Sequence, residues 1–163
     1  MCYFYALFNR MIMFKQLRFG YIICLLLAVF LPLTVIAQKK STESDKHIVF
    51  IENSWKEALK QASAQNKYIF VDAYATWCGP CKMLKLTTFK NNKAAQFYNK
   101  NFINVAIDME KGDGPQLAAQ WRMQAYPTLI IFDPKGQPVL GSVGYINADN
   151  LIKFGEAALK KQL

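Results

Sequence analysis

Two cysteines three residues apart, Cys78 and Cys81, are the strongest candidates for chemistry in this chain. The other two of its four cysteines, Cys2 and Cys24, lie in an apolar N-terminal segment. A disulfide between residues so close in sequence closes a small loop and removes little entropy from the unfolded chain. The pair therefore favours a reversible dithiol over a structural crosslink.

A structural zinc site is the alternative interpretation of two thiols at this spacing. Such sites take about four ligands. After its N-terminal segment the chain offers Cys78, Cys81 and its single histidine, His47. A partner chain would have to supply the rest. We therefore predict a redox-active pair, with no metal and no cofactor.

The position of Cys78 predicts an unusually acidic thiol. The motif Trp-Cys-Gly-Pro-Cys at residues 77–81 separates a predicted buried strand from a predicted helix. At a helix N-terminus a sulfur lies near unpaired backbone N–H groups and the positive end of the helix dipole, which stabilise the thiolate. Cys78 is expected to attack a substrate disulfide, and Cys81, one helical turn on, to resolve the mixed disulfide.

The three other residues of the motif are candidates for the surface that contacts substrate. Trp77 shields one side of the Cys78 sulfur and offers an apolar contact. Gly79 allows a tight turn into the helix. Pro80 fits the first helical turn because the N–H that proline lacks would be unpaired there.

Asp72 is the candidate general base for Cys81. It lies six residues before Cys78, within the apolar run Tyr-Ile-Phe-Val-Asp-Ala-Tyr at 68–74. A carboxylate in such a strand is poorly solvated, so its pKa is expected to rise toward a range useful for proton transfer. The alternative is an aspartate at the edge of a sheet that points into solvent.

The apolar periodicity predicts an α/β fold in which a mixed central β-sheet is flanked by helices on both faces. Residues 68–74 are nearly all apolar, which is typical of a central strand covered on both sides. Ser54 and Glu57 form a capping-box pattern at the start of the first helix. Strands are predicted at residues 48–51, 68–74, 102–108, 128–132 and 138–143, and helices at 54–66, 81–88, 92–101, 116–123 and from 147.

The N-terminal segment predicts export. Residues 1–18 carry three basic residues and no acidic one, and residues 20–37 carry no charge. Pro32 and the small residue Ala37 favour a cleaved signal peptide over an uncleaved membrane anchor. Either way the domain that follows is delivered outside the cytoplasm, to the periplasm or an equivalent compartment.

The predicted organisation has three parts. Residues 1–37 form the signal peptide or N-terminal membrane anchor, residues 38–46 a polar tether, and residues 47–163 the domain that carries the cysteines. Contact with a membrane is expected only through the first part, if it is not cleaved. An oxidising compartment is one in which a reversible dithiol is useful.

The charge of the chain argues against a nucleic-acid partner. It has 20 Lys and Arg against 11 Asp and Glu, for a net charge of +9. After the N-terminal segment all but one of the basic residues are scattered lysines. Scattered lysines are typical of a solvated surface, whereas nucleic-acid grooves favour clustered basic residues with interleaved aromatics.

These features together resemble the thioredoxin family. The motif at 77–81 is identical to the family's common form, Asp72 falls where the family keeps a buried acid, and residues 125–129 (Ala-Tyr-Pro-Thr-Leu) look like its cis-proline loop. Gly144 is similar to the glycine opposite the active site. The resemblance covers about residues 48–163 and implies a thioredoxin-like fold.

The resemblance also implies roles for the proline loop. Pro127 would be cis and would lie against the cysteines, and the backbone of Tyr126 would pair with a bound substrate segment as an added strand. Asn104 departs from the family, which often has a lysine near the buried acid. The split helix at 86–101 is more similar to exported thioredoxin-like reductases and to the C-terminal domain of the transmembrane electron-transfer reductase.

The motif and the resemblance predict an exported thiol-disulfide oxidoreductase that mainly reduces protein disulfides. The Gly-Pro pair between the cysteines resembles that of reducing members of the family. A reductase in an oxidising compartment has to be recharged, so a membrane electron donor is the expected partner. The alternatives are a disulfide oxidase or isomerase on the same scaffold, and a non-catalytic thioredoxin-like binding module.

Overall fold

The computed structural model describes residues 46–161. The predicted signal peptide or anchor at 1–37, and all of the tether at 38–46 except its last residue, lie outside them. Within the described residues, no helix combines the length and the apolar character needed to cross a membrane. The strands are β1 Ile51–Glu52, β2 Tyr68–Tyr74, β3 Phe102–Asp108, β4 Thr128–Phe132 and β5 Pro138–Val143. The helices are α1 Trp55–Gln65, α2 Gly79–Leu86, α3 Asn92–Asn101, α4 Gly114–Gln120 and α5 Ala148–Lys160, with a 3₁₀ turn at Thr88–Lys90.

The five strands form one mixed sheet in the order β1-β3-β2-β4-β5. β3 pairs in parallel with β1 and β2, while β4 pairs antiparallel with β2 and β5. The nearly continuous apolar sequences of β2 and β3 suit the centre of the sheet, because both of their faces are covered. The predicted α/β fold with a mixed sheet is confirmed.

Alternation along β2 divides the core between the two faces of the sheet. Phe70 packs with Leu84 of α2 and Tyr98 of α3 on one face. Ile69 and Val71 belong to a second cluster on the opposite face, with residues of α1 and α4. Helices therefore flank the sheet on both faces, and Asp72 and Tyr74 share the Phe70 face because they follow it at intervals of two.

The first predicted strand is largely wrong. The apolar pattern predicts a strand over residues 48–51, but β1 begins only at Ile51. Ile48 is buried and its N–H donates to the Phe89 carbonyl, while the Val49 N–H donates to the Asn99 side chain. These residues pack onto helices and turns instead of extending the ladder.

The start of α4 also differs from the prediction. The sequence predicts a helix at residues 116–123, whereas the helix runs from Gly114 to Gln120. A Cβ at Gly114 would collide with the backbone of Asp108 and Met109. Glycine at this position lets the helix begin directly against the end of β3, a close approach that apolar periodicity does not reveal.

Candidate active site

Cys78 occupies the N-cap position of α2. β2 ends at Tyr74, and a short turn brings the chain to Cys78 in an extended conformation. The Cys78 Sγ accepts a hydrogen bond from the Cys81 backbone N–H at 3.2 Å. A sulfur at this position faces the N–H groups that a helix leaves unpaired at its start, so a thiolate is stabilised there.

Cys78 and Cys81 are joined by a disulfide, and their Cα atoms are 5.3 Å apart. Cys78 is 3% exposed and Cys81 1%, and both pack with Ala75 in a small cluster that Tyr74 and Tyr126 border. The helix therefore holds the second sulfur within bonding reach of the first. This is the geometry that exchange between a dithiol and a disulfide requires.

Trp77 and Tyr126 flank the buried cysteines at the surface. The side chain of Trp77 is 66% exposed, and its Nε1 donates a hydrogen bond to Glu110 Oε2 at 2.9 Å. The Trp77 and Tyr126 rings meet edge to face, with their centroids 6.1 Å apart. Glu110 fixes the orientation of an indole that would otherwise be free to turn, and the two rings present an apolar surface beside the disulfide.

The Tyr126–Pro127 peptide bond is cis, as the resemblance implies. Pro127 is buried, and the Thr128 hydroxyl closes the turn by donating to the Ala125 carbonyl at 2.7 Å. Gly144, with φ +92, donates its N–H to the Pro127 carbonyl at 2.8 Å. The structure thus brings Tyr126, Pro127 and Gly144 together, and Tyr126 packs against the cysteine cluster.

Asp72 is completely buried, which overturns the alternative of a solvent-facing edge residue. Burial raises its pKa to about 7; the positive charge of Lys85 opposes this rise, and the negative charge of Glu52 adds to it. Among the described residues, neither carboxylate oxygen of Asp72 has a hydrogen-bond donor. A carboxyl group that titrates near neutral pH is suited to receive and release protons.

Asp72 lies on the side of the sheet that α2 covers. The buried residues of α2 are Cys81 and Leu84, and Leu84 packs with Phe70, which is two residues before Asp72 on β2. Residues two apart on a strand share a face, so the Cys81 side of the helix lies over the strand that carries the acid.

Two residues of this region were missed at the level of sequence, Lys85 and Glu110. Lys85 follows Cys81 by four residues and therefore shares its helix face, and this spacing was the available signal. Glu110 lies in a loop 33 residues from its partner Trp77, and no local pattern connects the two. Asn104, which replaces the lysine seen in many thioredoxins, is buried and donates to the Val49 carbonyl and to Asn99 Oδ1.

No cluster of three or more histidine, cysteine or acidic side chains suited to a metal ion occurs within residues 46–161. His47, the one histidine of the chain, is exposed.

The fold and the paired cysteines define a thiol-disulfide oxidoreductase with a thioredoxin-like architecture. The chain belongs to the family of thioredoxin-like domains, whose sequence model matches residues 55–159. It is 39% identical over 86 residues to a thioredoxin of Chlamydia trachomatis, covering 53% of this chain and 78% of the relative.

Solved structures give the same architecture. A putative disulphide-isomerase from Bacteroides thetaiotaomicron is 39% identical, with a TM-score of 0.63 over 73% of this chain and 98% of that one. A thioredoxin from Thermus thermophilus is 18% identical with a TM-score of 0.61, covering 68% of this chain and 88% of that one. At that identity the second similarity concerns the fold alone.

Proposed function

We propose that this protein is an exported reductase of protein disulfides, recharged by a membrane electron donor. The Cys78–Cys81 pair performs the thiol-disulfide exchange, and Asp72 acts as the general base that takes the proton of Cys81. Trp77, Gly79 and Pro80, together with Tyr126, Pro127 and Gly144, form the surface that receives the substrate.

The reaction transfers two electrons from the dithiol to the substrate. The Cys78 thiolate attacks one substrate sulfur, which forms a mixed disulfide and releases the other substrate sulfur as a thiolate. Asp72 takes the proton of the Cys81 thiol. The Cys81 thiolate then attacks Cys78 Sγ, forms the enzyme disulfide and releases the second substrate sulfur. The substrate is reduced and the enzyme oxidised, so a dithiol donor must reduce the Cys78–Cys81 disulfide before the next cycle.

The observation that carries the proposal is the N-cap position of Cys78, where its Sγ accepts the Cys81 N–H within a pair already close enough to bond. The exposed face of Trp77 supports a protein substrate, since it leaves an apolar contact open next to the sulfurs. Export and the membrane donor are supported by the predicted signal or anchor sequence at 1–37.

Reduction of insulin by the full chain, with dithiothreitol as donor, tests the chemistry. Cys78→Ser should abolish turnover because the attacking sulfur is lost. Cys81→Ser, reduced beforehand and mixed with insulin after dithiothreitol has been removed, should accumulate a stable mixed disulfide with the substrate, because the resolving sulfur is lost. Equal rates in the wild type and both variants would overturn the proposal in favour of a non-catalytic binding module.

Isomerisation of disulfides is the second candidate, and the similarity to a putative disulphide-isomerase favours considering it. A redox titration of the Cys78–Cys81 pair separates the two directions. A potential near the strongly reducing value of thioredoxins, about −270 mV, is expected for a reductase. A value near that of strong oxidants, about −120 mV, together with refolding of scrambled ribonuclease, would contradict a mainly reducing role.

A further inference from the structure

Lys85 lies on the same side of the sheet as Asp72. Its Nζ is 3.4 Å from the centroid of the Tyr74 ring. Tyr74 follows Asp72 by two residues on β2, so the two side chains share a face and their Cα atoms are about 7 Å apart. A cation over the Tyr74 ring is therefore a near neighbour of the Asp72 carboxyl group.

Helix α2 aligns this cation with the resolving cysteine. Cys81 and Lys85 are four residues apart in Gly79–Leu86, and residues at this spacing lie one above the other on a helix. Cys81 and Lys85 thus lie one turn apart on the side of α2 that faces the sheet. Asp72 lies on β2, the strand beneath these two residues.

A row across the sheet places a second charge opposite Lys85. Glu52 of β1 pairs with Ala106 of β3, and Ala106 pairs with Asp72 of β2. Side chains at paired positions of parallel strands point to the same face of the sheet. Only the methyl group of Ala106 therefore lies between the carboxyl groups of Glu52 and Asp72. A surface cavity of about 140 Å³ is lined by Glu52, Lys85 and Ala106.

We propose that Lys85 is a positioning residue that keeps Asp72 available as a base for Cys81, with Glu52 as the opposing charge across the cavity. This inference rests on the proposed function, since it concerns the step in which Asp72 takes the Cys81 proton. Asn104, which pairs with Phe70 on the neighbouring strand, is neutral and its amide donates to Val49 and Asn99, so it supplies no positive charge to Asp72.

The other charged and titratable groups around Asp72 are few. Tyr74 is on the same strand, and Cys81 lies on the buried side of α2 that covers this strand, with Cys78 before it as the N-cap. β3 and β4 contribute Ala106 and Leu129 at the positions paired with Asp72, neither of which titrates, while Asp108 of β3 pairs with Tyr74 and forms an ion pair with Lys111. His47 and Lys90 line the same cavity at its exposed rim.

The direct test is an NMR titration of the Asp72 carboxyl carbon in the oxidised full-length protein, in which the cysteines do not titrate. Lys85→Met removes the cation and should raise the pKa of Asp72 by about 1, as expected for loss of a nearby opposite charge. Lys85→Arg should restore the wild-type value. Lys82→Met removes the same charge from an exposed position of α2 and should leave the pKa of Asp72 unchanged.

Glu52→Gln gives an independent arm of opposite sign. Removing this anion should lower the pKa of Asp72. Because Glu52 is exposed, the variant should fold like the wild type. An unchanged pKa in Lys85→Met, or an equal shift in Lys82→Met, would overturn the inference. If Lys85→Met does not fold, an unchanged or raised pKa in Glu52→Gln overturns it.

A kinetic readout connects the pair to turnover. The rate at which Cys81 resolves the mixed disulfide should rise with pH through the pKa of Asp72, and Lys85→Met should move this midpoint upward in parallel with the NMR value. Failure of the wild type to reduce insulin would contradict the proposed function, while the titration in the oxidised protein would still decide whether Lys85 sets the ionisation of Asp72.

Discussion

The two cysteines are buried to nearly the same extent, but the backbone acts differently on each sulfur. Cys78 caps α2, and its Sγ already accepts the N–H of Cys81. Cys81 lies inside the helix, on the side that faces the strand of Asp72. A thiolate at Cys78 is therefore stabilised by the peptide groups themselves, whereas Cys81 depends on a neighbouring base to lose its proton.

Replacing Asp72 by Asn should stabilise the protein above neutral pH. The pKa of Asp72 is about 7 in the folded protein, against about 3.9 for an aspartate in an unfolded chain. At pH values between these two pKa values, the folded protein holds a proton that the unfolded chain has released. The contribution of Asp72 to stability is therefore complete below about pH 4, and it is lost as the pH rises through about 7. At pH 8 the free energy of unfolding of Asp72→Asn should exceed that of the wild type by about 2–4 kcal/mol.

Urea unfolding of the oxidised protein at pH 4 and pH 8 measures this difference. At pH 4 both side chains are neutral in the folded state, and the two proteins should be of similar stability. A gain that is the same at both pH values would mean that the ionisation of Asp72 is not its source.

At the scale of secondary structure, β2 serves the core and the active site with alternate residues. Ile69, Val71 and Ala73 fill the cluster beneath α1 and α4. Phe70 fills the opposite cluster, and Asp72 and Tyr74 continue its row toward the cysteines. The strand is anchored by apolar packing on both sides, so the buried acid and its neighbours are held in fixed register under α2.

The junction between β3 and α4 should tolerate no side chain at Gly114. A Cβ there would overlap the backbone of Asp108 and Met109, which have no room to move at the end of a central strand. Gly114→Ala should lower the free energy of unfolding by about 1–3 kcal/mol. Gly141→Ala is the matched control, because a Cβ at Gly141 meets only the Leu129 carbonyl at 4.0 Å.

Chemical denaturation of the two glycine variants checks this difference. Gly141→Ala should change the free energy of unfolding by less than about 1 kcal/mol. Equal losses in both variants would contradict a specific close approach at Gly114.

Local sequence was sufficient where an element's own side chains decide its structure. β2 and β3 have the predicted bounds because their apolar runs are long and buried on both faces. The predicted strand at residues 48–50 was wrong because the hydrogen-bond partners in this segment are Phe89 and Asn99, about 40 and 50 residues away in sequence. The paired cysteines and the burial of Asp72 followed from spacing and flanking residues, whereas the Lys85–Tyr74 and Trp77–Glu110 contacts depend on how separate elements pack.

At the scale of the whole molecule, the active site lies at one end of the sheet and its apolar surroundings face outward. Val143 and Tyr145, on either side of Gly144, are 67% and 42% exposed, and Trp77 is 66% exposed. Isolated apolar side chains at a surface are ordinary, but these belong to two of the segments that surround the disulfide, and Tyr126 borders it from the proline loop. The arrangement suits an extended protein segment that carries its own disulfide.

If the chain is exported as proposed, it should be processed and kept reduced in the compartment that receives it. If residues 1–37 are a cleaved signal peptide, mass spectrometry of the periplasmic protein should find Gln38 at the N-terminus. Acid quenching followed by alkylation should label both Cys78 and Cys81, since a reductase is maintained as the dithiol, and inactivation of the membrane donor should shift the pair to the disulfide.

Ala37→Arg is the control for processing, because a bulky charged residue at the cleavage position should prevent cleavage and leave the chain in the membrane fraction with the pair still reduced. The cytoplasm also keeps thiols reduced, so labelling alone does not decide the compartment. Wild-type chain that retains residues 1–37 in the cytoplasmic fraction would contradict export. A pair that is fully oxidised in the periplasm while the donor is active would contradict the reducing direction and favour oxidation of substrates instead.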